Sequence, residues 1–148
     1  MRIALAADHA GLPLKHELVG WLRGAGHEVT DLGTNSPDSV DYPQFGARLA
    51  RAVGDGQVDR GIAVCGSGIG ISIAVNRDPR CRCARVDDPL SAALSREHND
   101  ANVIALGARL IGADVAKACV SAFLGTDFAG GRHQRRVDQL STHLQESD

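Results

Sequence analysis

The sequence predicts an α/β fold, one parallel sheet of five strands covered by helices on both faces, and three observations lead there. Apolar residues fill 43% of the 148 positions but aromatics only 3%, so the core must be built from Val, Ile, Leu and Ala, as in alternating strand and helix layers. Short continuous apolar runs, of the kind buried on both faces of a parallel sheet, alternate with amphipathic stretches. Right-handed crossovers between such strands place the helices on the two faces. No repeat, low-complexity tract or linker interrupts the alternation, so residues 1–148 are expected to form one domain.

Ile3 to Ala7 is the first apolar run, and Asp8-His9-Ala10-Gly11 breaks it, which predicts a strand and a turn. Leu14, Leu18 and Leu22 then recur at spacing four with Val19 beside them, the stripe of a sheet-packed helix. Lys15, His16, Glu17 and Arg23 fall on the opposite side, and Gly24 and Gly26 close the helix. His27 to Leu32 reads as a second strand and Gly33 to Asp38 as a polar loop. Asp41-Tyr42-Pro43 opens a second helix, since proline suits a first helical turn. Its stripe is Phe45, Leu49, Ala52 and Val53, and Gly54-Asp55-Gly56 ends it. Gly61 to Cys65 is a third strand, followed at once by Gly66-Ser67-Gly68-Ile69-Gly70 and the apolar Ile71 to Val75, a strand, glycine loop and helix in succession. Cys81 to Val86 predicts a fourth strand and Pro89 to Glu97 a helix ending in His98-Asn99-Asp100. Val103 to Leu106 is the fifth strand, and Ala113 to Leu124 a further helix. The basic stretch Gly130 to Arg136 leads into a last helix with Val137, Leu140 and Leu144 on one side.

Net charge and cysteine usage narrow the function. A formal charge of -2 gives no whole-molecule basic field, so neither nucleic acid nor an anionic membrane is an expected partner, and any anion site must be local. The apolar run at Ile3 to Ala7 is far too short to span a bilayer. Cys65, Cys81, Cys83 and Cys119 lie in a chain large enough to fold without disulfides, with no leader sequence before them; reduced thiols and a cytoplasmic location are expected.

In parallel α/β sheets ligands bind outside the carboxyl ends of the strands, which singles out Asp8-His9, Cys65 to Gly70, Asp87-Asp88 and Gly107 with Arg109. The glycine loop is the most informative of these. Glycines between a strand and a helix let successive N–H groups point into one concavity, which suits a phosphate or a developing oxyanion. Cys65 beside it is then a usable base or nucleophile, whereas a cysteine at a strand end without such a loop is more often plain core. Rival readings of the loop fail on their letters. A dinucleotide fingerprint needs glycine where Ile71 stands, a phosphate-loop NTPase needs Gly-Lys-Ser/Thr, and a cysteine phosphatase needs an arginine at the Ile71 position.

A second cluster places Arg132 and Arg136 four residues apart, on one face if helical, ready to hold one phosphate; taken alone it reads better as a solvated basic cap or a partner for surface acids. His98 can exchange a proton near neutral pH and Asn99 can orient a hydroxyl, although a lone histidine at a helix end is more often a C-cap or dipole partner. Cys81-x-Cys83 has no second Cys or His pair at compact ligand spacing, so no metal site is expected.

Taken together, Asp8-His9-Ala10-Gly11, Asp41-Tyr42-Pro43, Cys65 to Gly70, Ala74-x-Asn76, Ser95 to Asp100 with Asn102, Gly107-x-Arg109 and Gly131-Arg132-His133-Gln134-x-Arg136-Val137 resemble one family over nearly the whole chain. It is ribose-5-phosphate isomerase type B, with the allose-6-phosphate and galactose-6-phosphate isomerases as relatives. The resemblance implies a Rossmann-like three-layer α/β/α sandwich, a C-terminal helix used in dimerisation, and active sites shared between the subunits of a homodimer or homotetramer. It implies a phosphorylated aldose or ketose as substrate and no metal or organic cofactor. By the same analogy Cys65 takes the proton from C2 with help from Ser67, while the amides of Gly66, Gly68, Ile69 and Gly70 hold the enediolate oxygen. His98 opens the sugar ring; Asp8, His9 and Asn99 contact hydroxyls or the ring oxygen; Arg109, Arg132 and Arg136 bind phosphate near His133; Tyr42 forms a pocket wall. One subgroup of the family uses a glutamate base where this chain has Ile71, which leaves the role to Cys65. The galactose-6-phosphate enzymes divide their site between two unlike chains, whereas this chain carries thiol, histidine and arginines together. Ribose 5-phosphate is the expected substrate, a six-carbon sugar phosphate such as allose 6-phosphate the alternative, and a non-catalytic nucleotide or sugar-phosphate binding module the reading from another class.

Overall fold

The structure, a computed structural model, describes residues 1–141. Its strands are β1 (Arg2–Ala7), β2 (Glu28–Asp31), β3 (Arg60–Cys65), β4 (Cys83–Arg85) and β5 (Val103–Gly107). Its helices are α1 (Leu12–Gly24), α2 (Tyr42–Gly54), α3 (Ile69–Val75), α4 (Pro89–Asn99), α5 (Ala113–Gly125) and α6 (Arg132–Leu140). All strand pairs are parallel, in the order β2-β1-β3-β5-β4, the Rossmann-like sandwich expected.

Side chains alternate across a strand, so each strand feeds two cores. Ile3, Leu5 and Ala7 face one side, where Leu14, Leu18 and Leu22 of α1 and Val120 and Phe123 of α5 cover them. Ala4 and Ala6 face the other, where Phe45 and Leu49 of α2 and Ile71 and Val75 of α3 complete the layer. The small alanines let α2 sit close on the sheet. The register sets Ala7 opposite Val64 and Cys65 opposite Gly107, so β1, β3 and β5 end level with one another.

The structure departs from expectation in three elements. Lys15, assigned to the polar side of α1, is fully buried, because its ammonium donates to Asp31 Oδ1 at the end of β2 and to Asn35 Oδ1 in the following loop. Burial pushes the Asp31 carboxyl up, but the bonds from Lys15 and the Gly33 N–H outweigh it and hold the group below its ordinary value. β4 covers Cys83–Arg85 rather than Cys81 to Val86, because the Cys81 N–H turns back to the Asp78 carbonyl and the Asn76 side chain caps Cys83 on both its N–H and its C=O. The last helix begins at Arg132 and so contains the basic cluster rather than following it; Leu144 lies outside the described residues.

Candidate active site

At the carboxyl end of the sheet, Cys65 is the last residue of β3 and only 4% exposed. Its Sγ accepts the Gly68 N–H at 3.1 Å, and Ser67 Oγ accepts the Ile69 N–H at 3.1 Å. The turn that swings these amides round needs Gly68 at φ 75°, where a Cβ would also stand 2.9 Å from the Leu106 carbonyl carbon. An N–H aimed at sulfur stabilises negative charge on it, and an engaged lone pair on Ser67 leaves its O–H free to donate.

Three further elements wall the site. Asp8, 7% exposed after β1, accepts the Gly11 N–H at 3.1 Å, which orients its carboxylate. Tyr42 opens α2 with its ring against Gly70, so close that a Cβ there would meet the ring at 2.6 Å. Arg109, in the turn after β5, lies over Gly66, and Leu110 follows it. These groups enclose a cavity of about 270 Å³ with Cys65 in its wall. Leu110 was not singled out in the sequence, although its place just beyond a strand's carboxyl end was the available signal. His9 lies beside this cavity without lining it, and its Nδ1 accepts the Val40 N–H at 3.1 Å, which fixes the neutral ring as the Nε2–H tautomer. The Ile69 side chain points outward, half exposed, so only its backbone serves the loop.

His98 and Asn99 at the end of α4 meet His133 and Arg136 on α6 around a second cavity, also about 270 Å³. The rings of His98 and His133 stack with centroids 4.5 Å apart. Burial, then His98, Arg132 and Arg136, hold His133 below its ordinary value. Arg132 and Arg136 share one face of α6, as their spacing predicts.

These two groups do not meet within one chain. α4 starts beyond the carboxyl end of β4 and runs back along the sheet, so its own end lies by the opposite edge, where the Gly61 N–H donates to Asn102 O and Arg82 Nε donates to Asp100 O. The length of β3 lies between, about 16 Å at about 3.3 Å per residue step. The rule that places ligands at the carboxyl ends therefore describes Asp8, Cys65 and Arg109, while His98, Asn99, Arg132, His133 and Arg136 stand at the other end.

The remaining candidates are structural. Asp88 caps α4 by accepting the Ser91 N–H at 2.8 Å, and Asp87 pairs with Arg85 at 2.8 Å. Burial pushes the Cys81 and Cys119 thiols up to about 11 and that of Cys83 higher still, which keeps them protonated at neutral pH. Among the described residues no three His, Cys, Asp or Glu side chains converge as a metal-binding group, and no helix is long and apolar enough to cross a membrane.

The profile of the family described as Ribose/Galactose Isomerase matches residues 3–140. The chain is 48% identical over 140 residues to ribose-5-phosphate isomerase B of Escherichia coli (strain K12), covering 95% of this chain and 94% of that protein. Among solved structures, it resembles ribose-5-phosphate isomerase B of Clostridium thermocellum at a TM-score of 0.94 and 48% identity, covering 95% of both chains. It also resembles the Mycoplasma genitalium ribose-5-phosphate isomerase B with bound ribulose-5-phosphate at a TM-score of 0.91 and 38% identity, over 95% of this chain and 93% of that one.

Proposed function

The chain belongs to the Ribose/Galactose Isomerase family, and from that premise we propose how its residues carry out the interconversion of ribose 5-phosphate and ribulose 5-phosphate. The activity is that of a type B ribose-5-phosphate isomerase, an aldose–ketose isomerase. Cys65 is the base. The observation that carries this reading is the sulfur itself, in the wall of a cavity, accepting the Gly68 N–H with Asp8 and Arg109 beside it.

A carbon acid beside a carbonyl ionises only if a matched base and a pre-set donor act together. The thiolate takes the C2 proton of the open-chain aldose to give the enediolate, a proton passes from the O2 hydroxyl to O1, and the thiol returns its proton to C1 as the C2 carbonyl forms. The Gly68 and Ile69 amides are engaged by Cys65 and Ser67, so the developing oxyanion takes its hydrogen bond from the Ser67 O–H in the cavity wall, where Gly66 and Gly70 also stand. Asp8 and the Nε2–H of His9 meet sugar hydroxyls, and Tyr42 and Leu110 exclude water.

Arg132, Arg136, His98 and Asn99 serve the Cys65 cavity of a second copy. The span of the sheet between the two groups supports this, since a five-carbon phosphate cannot bridge it. Exposed apolar side chains support it too: Ile69 and Ile73 project from α3 at 50% and 51% exposure and Leu140 from α6 at 63%, beside the two half-sites, as a covered surface would have them. In the resulting homodimer, with α6 in the contact, His98 opens the ring and the arginines grip the phosphate, whose binding energy aligns the scarce open-chain sugar. Four free cysteines suit a reducing, cytoplasmic setting.

The test is proton exchange. Ribose 5-phosphate incubated with the protein in deuterated water, without added cofactor, should yield ribulose 5-phosphate and carry deuterium at C2 when recovered. Failure to do so with both ribose 5-phosphate and allose 6-phosphate would leave a binding module.

A further inference from the structure

Arg85 takes no part in the chemistry described so far, yet it ends β4 beside the glycine loop. Its Nε donates to the Ser67 carbonyl at 2.9 Å, and its Nη1 donates to Asp87 Oδ2 at 2.8 Å. The backbone at Gly107 closes on the same carbonyl: a Cβ on Gly107 would stand 2.6 Å from Ser67 O. A peptide unit is planar and trans, so the Ser67 C=O and the Gly68 N–H are opposed ends of one rigid group. Holding one end aims the other. The Gly68 N–H is the donor 3.1 Å from Cys65 Sγ. A cation on the carbonyl oxygen also polarises the amide and makes its N–H a stronger donor.

We propose that Arg85, steered by Asp87, is a positioning residue for the isomerase reaction, clamping the Ser67–Gly68 peptide so that its N–H stays on the Cys65 sulfur. The inference rests on Cys65 as the base. The ion pair itself is half open to water, with side chains 26% and 47% exposed, so its contribution to stability is small and its placement against the loop is what distinguishes it. The other charged or titratable groups facing the sulfur are Asp8 from the end of β1, Tyr42 from α2 and Arg109 from the turn after β5, and replacing Arg85 alters none of them.

The experiment follows the pH dependence of iodoacetamide alkylation at Cys65, located by peptide mass, beside kcat and KM for ribose 5-phosphate. The high thiol pKa values of the other three cysteines keep them out of the reaction near neutral pH. In Arg85→Met the alkylation midpoint and the acid limb of kcat should both move up by about 0.5–1 pH unit. At pH 7 kcat should fall roughly three- to tenfold while KM changes by less than about twofold. Arg85→Lys should recover part of the loss. If Arg85→Met does not fold, Asp87→Asn should move the midpoint in the same direction by less. An unmoved midpoint in a folded variant overturns the proposal. Turnover surviving in Cys65→Ala would instead overturn the base assignment, and the alkylation profile would still judge the clamp.

Discussion

The two ends of the sheet are built by different means. At the carboxyl end the working groups, Arg109 apart, are short and held by backbone: a sulfur and a hydroxyl fixed by loop amides, and a carboxylate fixed by the Gly11 N–H. At the other end they are long or exposed side chains on α4 and α6, among them Arg132 and Arg136. Moving a proton between carbons demands a base placed to a fraction of an ångström, and that comes only from groups with few torsions. Gripping a phosphate tolerates movement, because a guanidinium fork acts at the end of a long stem and charge attraction falls off slowly. On the proposed reading, rigid chemistry and adaptable anchoring occupy opposite ends of one chain, and a second copy joins them.

The sharpest way to break that contrast is Cys65→Ala. It should lower kcat by about 10³-fold or more while the variant still binds ribose 5-phosphate by calorimetry. Residual turnover near the wild-type rate would move the chemistry elsewhere. Next comes Lys15→Met, which leaves Asp31 without its buried partner and should lower unfolding free energy by about 3 kcal/mol in urea titration. A loss within about 0.5 kcal/mol would mean that the catalytic end does not depend on this buried strut.

Arg136→Ala tests the anchoring end. KM for ribose 5-phosphate should rise roughly 10- to 100-fold with kcat little changed. Mixing Cys65→Ala with Arg136→Ala, after dissociation and reassembly, should restore roughly a quarter of wild-type activity when assayed at substrate well below the wild-type KM, where each parent alone is nearly silent, since half the dimers then carry one intact shared site. No recovery would refute the shared site.

The smallest expected effect is on pH-dependent stability. The His133 value in the folded chain lies below the unfolded value of about 6.5, so between the two only the unfolded chain binds the proton. Stability therefore falls as pH drops through that window and levels off beneath it. Asp31 acts lower down: its contribution is present above about 3.8 and is lost as pH falls through its depressed folded value. Urea midpoints from pH 7 to 5.5 should decline in the wild type and decline less in His133→Asn.

What the amino-acid order determined by itself was everything with a local period. The run Ile3 to Ala7, the stripe Leu14, Leu18 and Leu22, and the succession from Cys65 through Gly70 each announce their element within a few residues. The helical spacing of Arg132 and Arg136 was legible for the same reason. Tertiary structure alone decided that Lys15 is buried, since periodicity reports which face a residue takes but not that Asp31 and Asn35 will arrive to receive its charge. It decided that Arg85 reaches the Ser67 carbonyl from another strand. It also decided that His98 and Cys65 stand a sheet's length apart, because α4 carries its last turn back toward the edge from which β5 begins, and distance of that kind depends on how elements pack rather than on any window of sequence.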